Sequence, residues 1–193
     1  MKILFLNGSP HKDGFTAKLM KSIESGIDPN NMSEWLHAYD MSVKPCKGCL
    51  QCRPNKECCL PKDDGHRFWH ILRSADALVI GSPTYFGNIS GPLKKLIDRN
   101  VTAFETMDRS GLYRPEPLHI GKKAAIVTSC NTPSPFSASP TQGQGTLNAM
   151  ESILHAGGYE IVGSILLDGV VSRDIIPAAI LKEAKIISEK LQN

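Results

Sequence analysis

No stretch of this sequence approaches the roughly 18 consecutive apolar residues that a membrane-spanning helix requires, and Ile3-Leu4-Phe5-Leu6 is too short for a signal-peptide core. Charge of one sign is equally scarce: 22 Lys and Arg stand against 19 Asp and Glu, a formal +3 over 193 residues. So small and evenly spread an excess argues against nucleic acid as a partner, because phosphate neutralisation needs a concentrated basic face. The one basic cluster, Lys44, Lys47, Arg53, Lys56, Lys62 and Arg67, does not change that expectation. Pro- or Ser-rich linkers, internal repeats and low-complexity tracts are also missing, which leaves no place to divide the chain. What is present, 41% hydrophobic and 21% charged residues, suits one globular unit spanning 1–193, and a cytoplasmic location is expected. Disulfide scaffolding is disfavoured too. Five of the six cysteines crowd between Cys46 and Cys59 instead of spreading through the chain, a distribution that points to metal in a reducing compartment.

Five apolar, mostly β-branched runs alternate with five helical patterns. The strands are expected at Lys2 to Asn7, Glu34 to Tyr39, Ala77 to Ser82, Lys123 to Ser129 and Glu160 to Leu167. The helices follow at Thr16 to Ser25, Gly65 to Ser74, Gly91 to Asn100, Thr146 to Ala156 and Pro177 to Gln192. Such a repeat predicts a doubly wound α/β domain of flavodoxin type: a five-stranded parallel sheet, order 2-1-3-4-5, with helices on both faces. Ligands of that architecture sit beyond the carboxyl ends of the strands, so functional residues should follow each strand. Two long insertions interrupt the pattern, 41–64 with the cysteines and 101–121 with Arg109, Tyr113 and Arg114. Loops of that length are usually functional.

After the first strand, Gly8-Ser9-Pro10-His11-Lys12-Asp13-Gly14-Phe15-Thr16 leads into a helix. Small residues let the backbone approach a ligand closely, Ser9 and Thr16 offer hydroxyls, His11 or Lys12 offers a cation, and the helix start beyond Gly14 offers free N–H groups. One phosphate suits this loop. A nucleoside triphosphate does not, because Phe15 stands where a phosphate-binding Lys would be needed. A low-molecular-weight tyrosine phosphatase is disfavoured as well, since the loop lacks the Cys nucleophile that reaction needs.

The third strand opens into Gly81-Ser82-Pro83-Thr84-Tyr85-Phe86-Gly87-Asn88-Ile89-Ser90-Gly91-Pro92-Leu93-Lys94. Together with the first loop, this stretch resembles the NAD(P)H-dependent FMN reductase family of the flavodoxin-like superfamily. The resemblance implies that amides from Thr84 to Asn88 meet the polar edge of a flavin ring while Pro83, Tyr85 and Phe86 pack around it. It also places Ser129 and Asn131, after the fourth strand, at the ring edge or ribityl chain. Two positions depart from the family pattern: His11 replaces an Arg and Phe15 an Asn. Gly143-Gln144-Gly145 is not a dinucleotide fingerprint, because Asn148 occupies the third glycine position and no strand directly precedes it.

Cys46-x2-Cys49-x2-Cys52-x5-Cys58, with Cys59 adjoining, is the most specific chemical pattern in the chain. Three cysteines at this spacing can wrap one iron–sulfur cube, with a fourth thiolate completing it. The pattern resembles the iron-sulfur flavoprotein subfamily of the same group, which implies a [4Fe-4S] cluster on Cys46, Cys49, Cys52 and Cys58. Zinc, or a loop of free thiols, remains open from the spacing alone, as does the choice between Cys58 and Cys59.

The resulting expectation is an FMN-dependent oxidoreductase that passes electrons between flavin and cluster, linked to NAD(P)H, to a small-molecule acceptor or to a ferredoxin-like carrier. A cluster-free NAD(P)H-dependent quinone, flavin or nitro-compound reductase is the first alternative. A non-enzymatic electron carrier or zinc-stabilised binding module is the second, although a carrier of this type should be strongly acidic. No side chain is assigned as catalytic acid or base; His66, His70 and His119 are read as surface or core residues. The family resemblance implies a homodimer or homotetramer, with 101–121 a plausible contact region.

Overall fold

A computed structural model describes residues 1–53, 56–107 and 114–193. Strand β1 (Lys2–Asn7) leads into α1 (Phe15–Glu24), followed by β2 (Met32–His37), α2 (Asp64–Ser74), β3 (Ala77–Pro83), α3 (Gly91–Arg99) and the single turn α4 (Val101–Phe104). A short hairpin, β4 (Glu105–Met107) and β5 (Pro115–Pro117), precedes β6 (Lys123–Ser129), α5 (Gly143–Gly157), β7 (Glu160–Leu167) and α6 (Ala178–Gln192). The main sheet is parallel, in the order β2-β1-β3-β6-β7. Counting only its own five strands, this is the expected 2-1-3-4-5.

Side-chain alternation builds the two covering layers, because successive residues of a strand point to opposite faces. Leu4, Leu6, Leu78, Ile80, Ala124 and Ile126 face one way, against Phe68 and Leu72 of α2, Leu93 and Leu96 of α3 and Leu147, Met150 and Leu154 of α5. Ile3, Phe5, Val79, Ala125, Val127, Ile165 and Leu167 face the other, against Leu19, Met20 and Ile23 of α1 and Ala184, Ile187 and Leu191 of α6. Burial on both faces explains why the central strands read as unbroken apolar runs.

Three expected boundaries move. The second strand lies at Met32–His37, two residues earlier than read, because Met32 N–H bonds to Met1 O and sets the register from Lys2↔Met32 onward; Ala38–Asp40 form a separate 3-10 turn. It is an edge strand with one fully buried residue, Leu36, so its sequence carried little apolar signal. Helix α5 starts at Gly143, three residues before Thr146. The 101–121 insertion is partly regular, containing α4 and the β4–β5 hairpin, while Arg109 and Tyr113 lie outside the described residues and Arg114 is exposed.

His119 fastens this insertion to the body of the fold. Its ring stacks on Tyr159 at 4.6 Å, Nε2 lies 2.8 Å from Ala103 O, and its own N–H reaches Gly157 O. Burial lowers its pKa to about 4; the Ala103 carbonyl opposes that shift, while Lys122 and Arg73 add to it. The folded protein therefore keeps His119 neutral at pH values where the unfolded chain, titrating near 6.5, takes up a proton. Stability from this residue is complete above pH 6.5 and is lost as pH falls towards 4, by roughly 3 kcal/mol in total. Urea-unfolding midpoints measured between pH 7.5 and 4.5 should fall less steeply in His119→Gln than in the parent protein; parallel curves would remove this assignment.

Candidate functional site

At the carboxyl ends of β1, β3 and β6 lies a pocket of about 300 Å³, lined by Ser9, Pro10, His11, Gly14, Phe15, Thr16, Pro83, Thr84, Tyr85, Ser129, Asn131 and Val170. This size falls within the range of small-molecule sites. The β1–α1 loop is held from below. Gly8 N–H donates to Gly81 O at 2.7 Å, Ser9 N–H to Asn7 Oδ1 at 2.8 Å, and His11 N–H to Ser9 Oγ at 3.1 Å. Across the pocket, the hydroxyls of Thr16 and Ser129 meet at 2.8 Å, and Thr84 N–H donates to Ser129 O. Helix α1 has no side-chain cap at Gly14, so the first-turn amides have no partner among the described residues. An uncapped helix start flanked by hydroxyls is a chemical match for a phosphate group. Lys12 is committed to Asp40 at 2.5 Å, leaving amides, hydroxyls and His11 as the phosphate-facing set.

Nine of the twelve residues expected around a flavin thus share one pocket: Ser9, His11, Gly14, Thr16, Pro83, Thr84, Tyr85, Ser129 and Asn131. The remaining three occupy a tight turn at its rim. Tyr85 and Asn88 exchange backbone hydrogen bonds at 2.9 and 3.0 Å, and Phe86 and Gly87 adopt positive φ values of 50° and 70°. Thr84, Tyr85 and Asn88 therefore use their amides within the protein. Those of Phe86 and Gly87 have no partner among the described residues, and the Phe86 side chain is fully exposed. Sequence reasoning missed Pro10, Phe15 and Val170 as lining residues. Phe15 had a signal, since it replaces the family's polar residue in the loop; Val170 had none, because it follows β7 in an unremarkable segment.

The cysteine loop forms a second cavity on the flank of the fold, lined by Cys46, Lys47, Gly48, Cys49, Leu50, Cys52, Arg53, Cys58, Leu60, Asp98, Arg99 and Val101. All four expected ligands line it, and Cys59 does not. Cys59 instead sits with its Sγ 3.6 Å from that of Cys49. The thiols ring the cavity without converging into a closed ligand set; among the described residues no group of three His, Cys, Asp or Glu is placed to grip a metal ion. The local electrostatics differ from thiol to thiol. Burial, then the neighbouring Cys58, pushes Cys52 up, whereas the Gln51 amide, then the Cys59 thiol, holds Cys49 below its ordinary value.

Charge around this cavity is unusually enclosed. The Arg99 side chain is 0% exposed and reaches Asp63 through Nη2 at 3.3 Å, yet its Nε and Nη1 have no hydrogen-bond partner among the described residues. Arg53 bonds Glu105 at 3.3 Å through Nη2 and leaves Nη1 buried and, among the described residues, unpartnered. Asp63 also caps α2 and accepts from the Gly65 and Lys44 amides. His66 Nδ1 accepts from Asp63 N–H, so its Nε2 carries the proton and donates to Cys58 O at 2.8 Å. Thr102 Oγ1 donates to Lys56 O at 2.8 Å, pinning the loop to α4. Soft sulfur donors, apolar Leu50, Leu60 and Val101, and buried N–H groups lacking acceptors among the described residues together fit an anionic metal–sulfur group.

The sheet order and a pocket at its carboxyl edge define a flavodoxin-like α/β protein. More narrowly, the chain belongs to the NADPH-dependent FMN reductase family, which it matches over residues 1–165. It is 32% identical over 182 residues to an iron-sulfur flavoprotein of Archaeoglobus fulgidus, covering 94% of this chain and 81% of that one. A second iron-sulfur flavoprotein, from Clostridioides difficile, is 26% identical over 194 residues, covering 98% and 77%. The crystal structure of an azoreductase from Bacillus anthracis shares the fold, with a TM-score of 0.71 at 15% identity over 98% of this chain and 99% of that one. The protein is an FMN-dependent oxidoreductase. No helix among the described residues is long and apolar enough to cross a membrane.

Gly145 explains the Gly-Gln-Gly segment in terms of this pocket. A Cβ there would lie 1.9 Å from Pro140 O and 2.4 Å from Gly87 O, so the first turn of α5 can approach the Phe86–Gly87 turn only as glycine. Both opposing atoms are backbone and cannot swing aside. Gly145→Ala should destabilise the fold by about 1–3 kcal/mol and weaken FMN binding by displacing the turn. Urea unfolding and a flavin-fluorescence titration read the two effects, and unchanged values in both would dismiss the contact.

Proposed function

We propose that this FMN-dependent oxidoreductase also carries a [4Fe-4S] cluster on Cys46, Cys49, Cys52 and Cys58, and that it moves electrons between flavin and cluster. The observation that carries the reading is the shared cavity: four cysteines and two arginines with buried N–H groups that lack a partner among the described residues, around one space. The names of the Archaeoglobus and Clostridioides relatives support it. FMN, when bound, supplies hydride exchange with NAD(P)H and one-electron release, and a cluster supplies a one-electron port.

The chain's own residues bind and orient. The amides at the start of α1, with Ser9 and Thr16, hold a phosphate, and Ser129 and Asn131 present polar groups towards the ribityl chain or ring edge. Pro83 and Tyr85 give the ring apolar surface, while the free amides of Phe86 and Gly87 offer donors at the rim. No side-chain acid or base is required, since the amides are fixed donors towards charge that develops on a ring. On the other flank, exposed Lys44, Lys47, Lys56 and Lys62 surround the cysteine loop, a surface suited to an acidic, ferredoxin-like carrier; the pocket itself admits a small-molecule acceptor. A homodimer or homotetramer is part of the reading, supported by the full exposure of Phe86 at the pocket rim.

Protein purified without oxygen should show two flavin bands, a broad iron–sulfur shoulder and about four irons per chain. Cys58→Ser should lose the iron and Cys59→Ser retain it; the reverse pattern would move the fourth ligand to Cys59. Flavin bands without metal would turn the reading to a cluster-free NAD(P)H-dependent quinone, flavin or nitro-compound reductase, and stoichiometric zinc to a zinc-stabilised loop.

A further inference from the structure

A guanidinium withdrawn from water costs several kcal/mol unless its charge is paired and its N–H groups have acceptors. Arg99 meets only part of that requirement. Asp63 engages Nη2, while Nε and Nη1 have no partner. Arg53 repeats the arrangement: Glu105 engages Nη2, and Nη1 is buried without an acceptor. Among the described residues, five buried side-chain nitrogen or oxygen atoms lack a partner, and three of the five belong to these two arginines. Both arginines line the cysteine cavity. They also approach it from different parts of the chain, Arg53 from the cysteine loop itself and Arg99 from the end of α3, so local sequence does not explain their convergence.

We infer that Arg53 and Arg99 are potential-setting residues for the metal–sulfur group of this cavity: their unpartnered N–H groups donate to its sulfur atoms and favour its more negatively charged, reduced form. The inference rests on the cluster reading above. N–H···S bonds and nearby positive charge raise the potential of an iron–sulfur centre, and burial strengthens both effects. Asp63 and Glu105 set the net charge of each pair. Asp63 also fixes the direction of Arg99, because its carboxylate is held by the Gly65 and Lys44 amides as well. Each guanidinium is thus held through Nη2 by a carboxylate, leaving its remaining buried N–H groups without an acceptor among the described residues. A lysine could keep the charge but not this fork, since its ammonium is a point donor.

The test is an electron-paramagnetic-resonance-monitored redox titration with dithionite, which adds one electron to the cluster, on anaerobically prepared parent protein, Arg53→Gln, Arg99→Lys and Glu105→Gln. Iron and sulfide are counted in each sample. Arg53→Gln and Arg99→Lys should make reduction at least tenfold less favourable, a downward shift of about 59 mV for one electron. Glu105→Gln removes the counter-charge from Arg53 and should shift the potential upward. A merely structural role would not produce shifts of opposite sign from the two halves of one ion pair. If Arg99→Lys does not fold, the Arg53 and Glu105 variants still decide the matter. Full iron with the parental potential in these two variants would overturn the inference and leave the cluster reading intact. A parent protein without iron would overturn both.

Discussion

Asp63 is the residue on which the flank of this molecule depends, because a single carboxylate closes three structural elements at once. It caps α2 through Gly65 N–H, anchors the entrance of the cysteine loop through Lys44 N–H, and receives the guanidinium of Arg99 from the end of α3. Burial works to raise its pKa, but the Lys44 amide, the Arg99 charge, the Gly65 amide and His66 together outweigh burial and keep it below the ordinary value. The carboxylate therefore stays charged. A capping residue worth about 1 kcal/mol elsewhere here also fixes where Arg99 lies and, through His66 and Cys58 O, where the second half of the cysteine loop runs.

The same arrangement connects the two sites. Helix α3 begins at Ser90, whose Oγ accepts from Leu93 N–H and whose own N–H donates to Ser82 Oγ, just beyond the turn at the flavin pocket. It ends at Arg99 in the wall of the cysteine cavity. Nine residues of α-helix span roughly 14 Å, so one short rigid rod sets the spacing between the pocket rim and the thiols. Its apolar face, Leu93, Leu96 and Ile97, is buried in the main core, which ties that spacing to the stability of the sheet. Gly8 serves the same layer from below: a Cβ there would lie 2.7 Å from Leu93 Cδ2, so the phosphate loop and α3 are packed against each other.

Much of this was legible in the sequence because strong periodicity and functional spacing coincide with the elements. Leu4 and Leu6 face one layer and Ile3 and Phe5 the other, as an alternating, fully buried strand requires. Four of the five sheet strands and the loops after the first, third and fourth of them follow from that pattern. The second strand slipped because an edge strand reading Met-Ser-Glu-Trp-Leu-His buries too little to announce itself. The β4–β5 hairpin escaped for a related reason, since three-residue strands have no measurable period. The Gly143-Gln144-Gly145 segment was set aside as a dinucleotide fingerprint, and its contact role had no sequence signal, since the absent side chain at Gly145 serves the approach of two backbones. The cysteine spacing named the candidate ligands and left Cys58 and Cys59 both open; in the fold Cys58 lines the cavity and its carbonyl meets His66, while Cys59 lies beside Cys49.

On the functional reading proposed above, the two sites meet negative charge by different physical means. The loop after β1 offers amide dipoles and hydroxyls, groups that water solvates well, and Lys12 of the same loop is already paired with Asp40. Losing a ligand there exchanges one set of hydrogen bonds for another at small net free energy. At the cysteine cavity the donors are guanidinium groups, Arg99 without any exposed surface, and they have no such exchange available. Their unpaired N–H groups disfavour the folded loop, and on the cluster reading proposed above an acceptor placed among them would tie occupancy to local folding. A site built in that way orders its loop most firmly around its own group, whereas the pocket at the carboxyl edge of the sheet keeps its shape from the sheet itself.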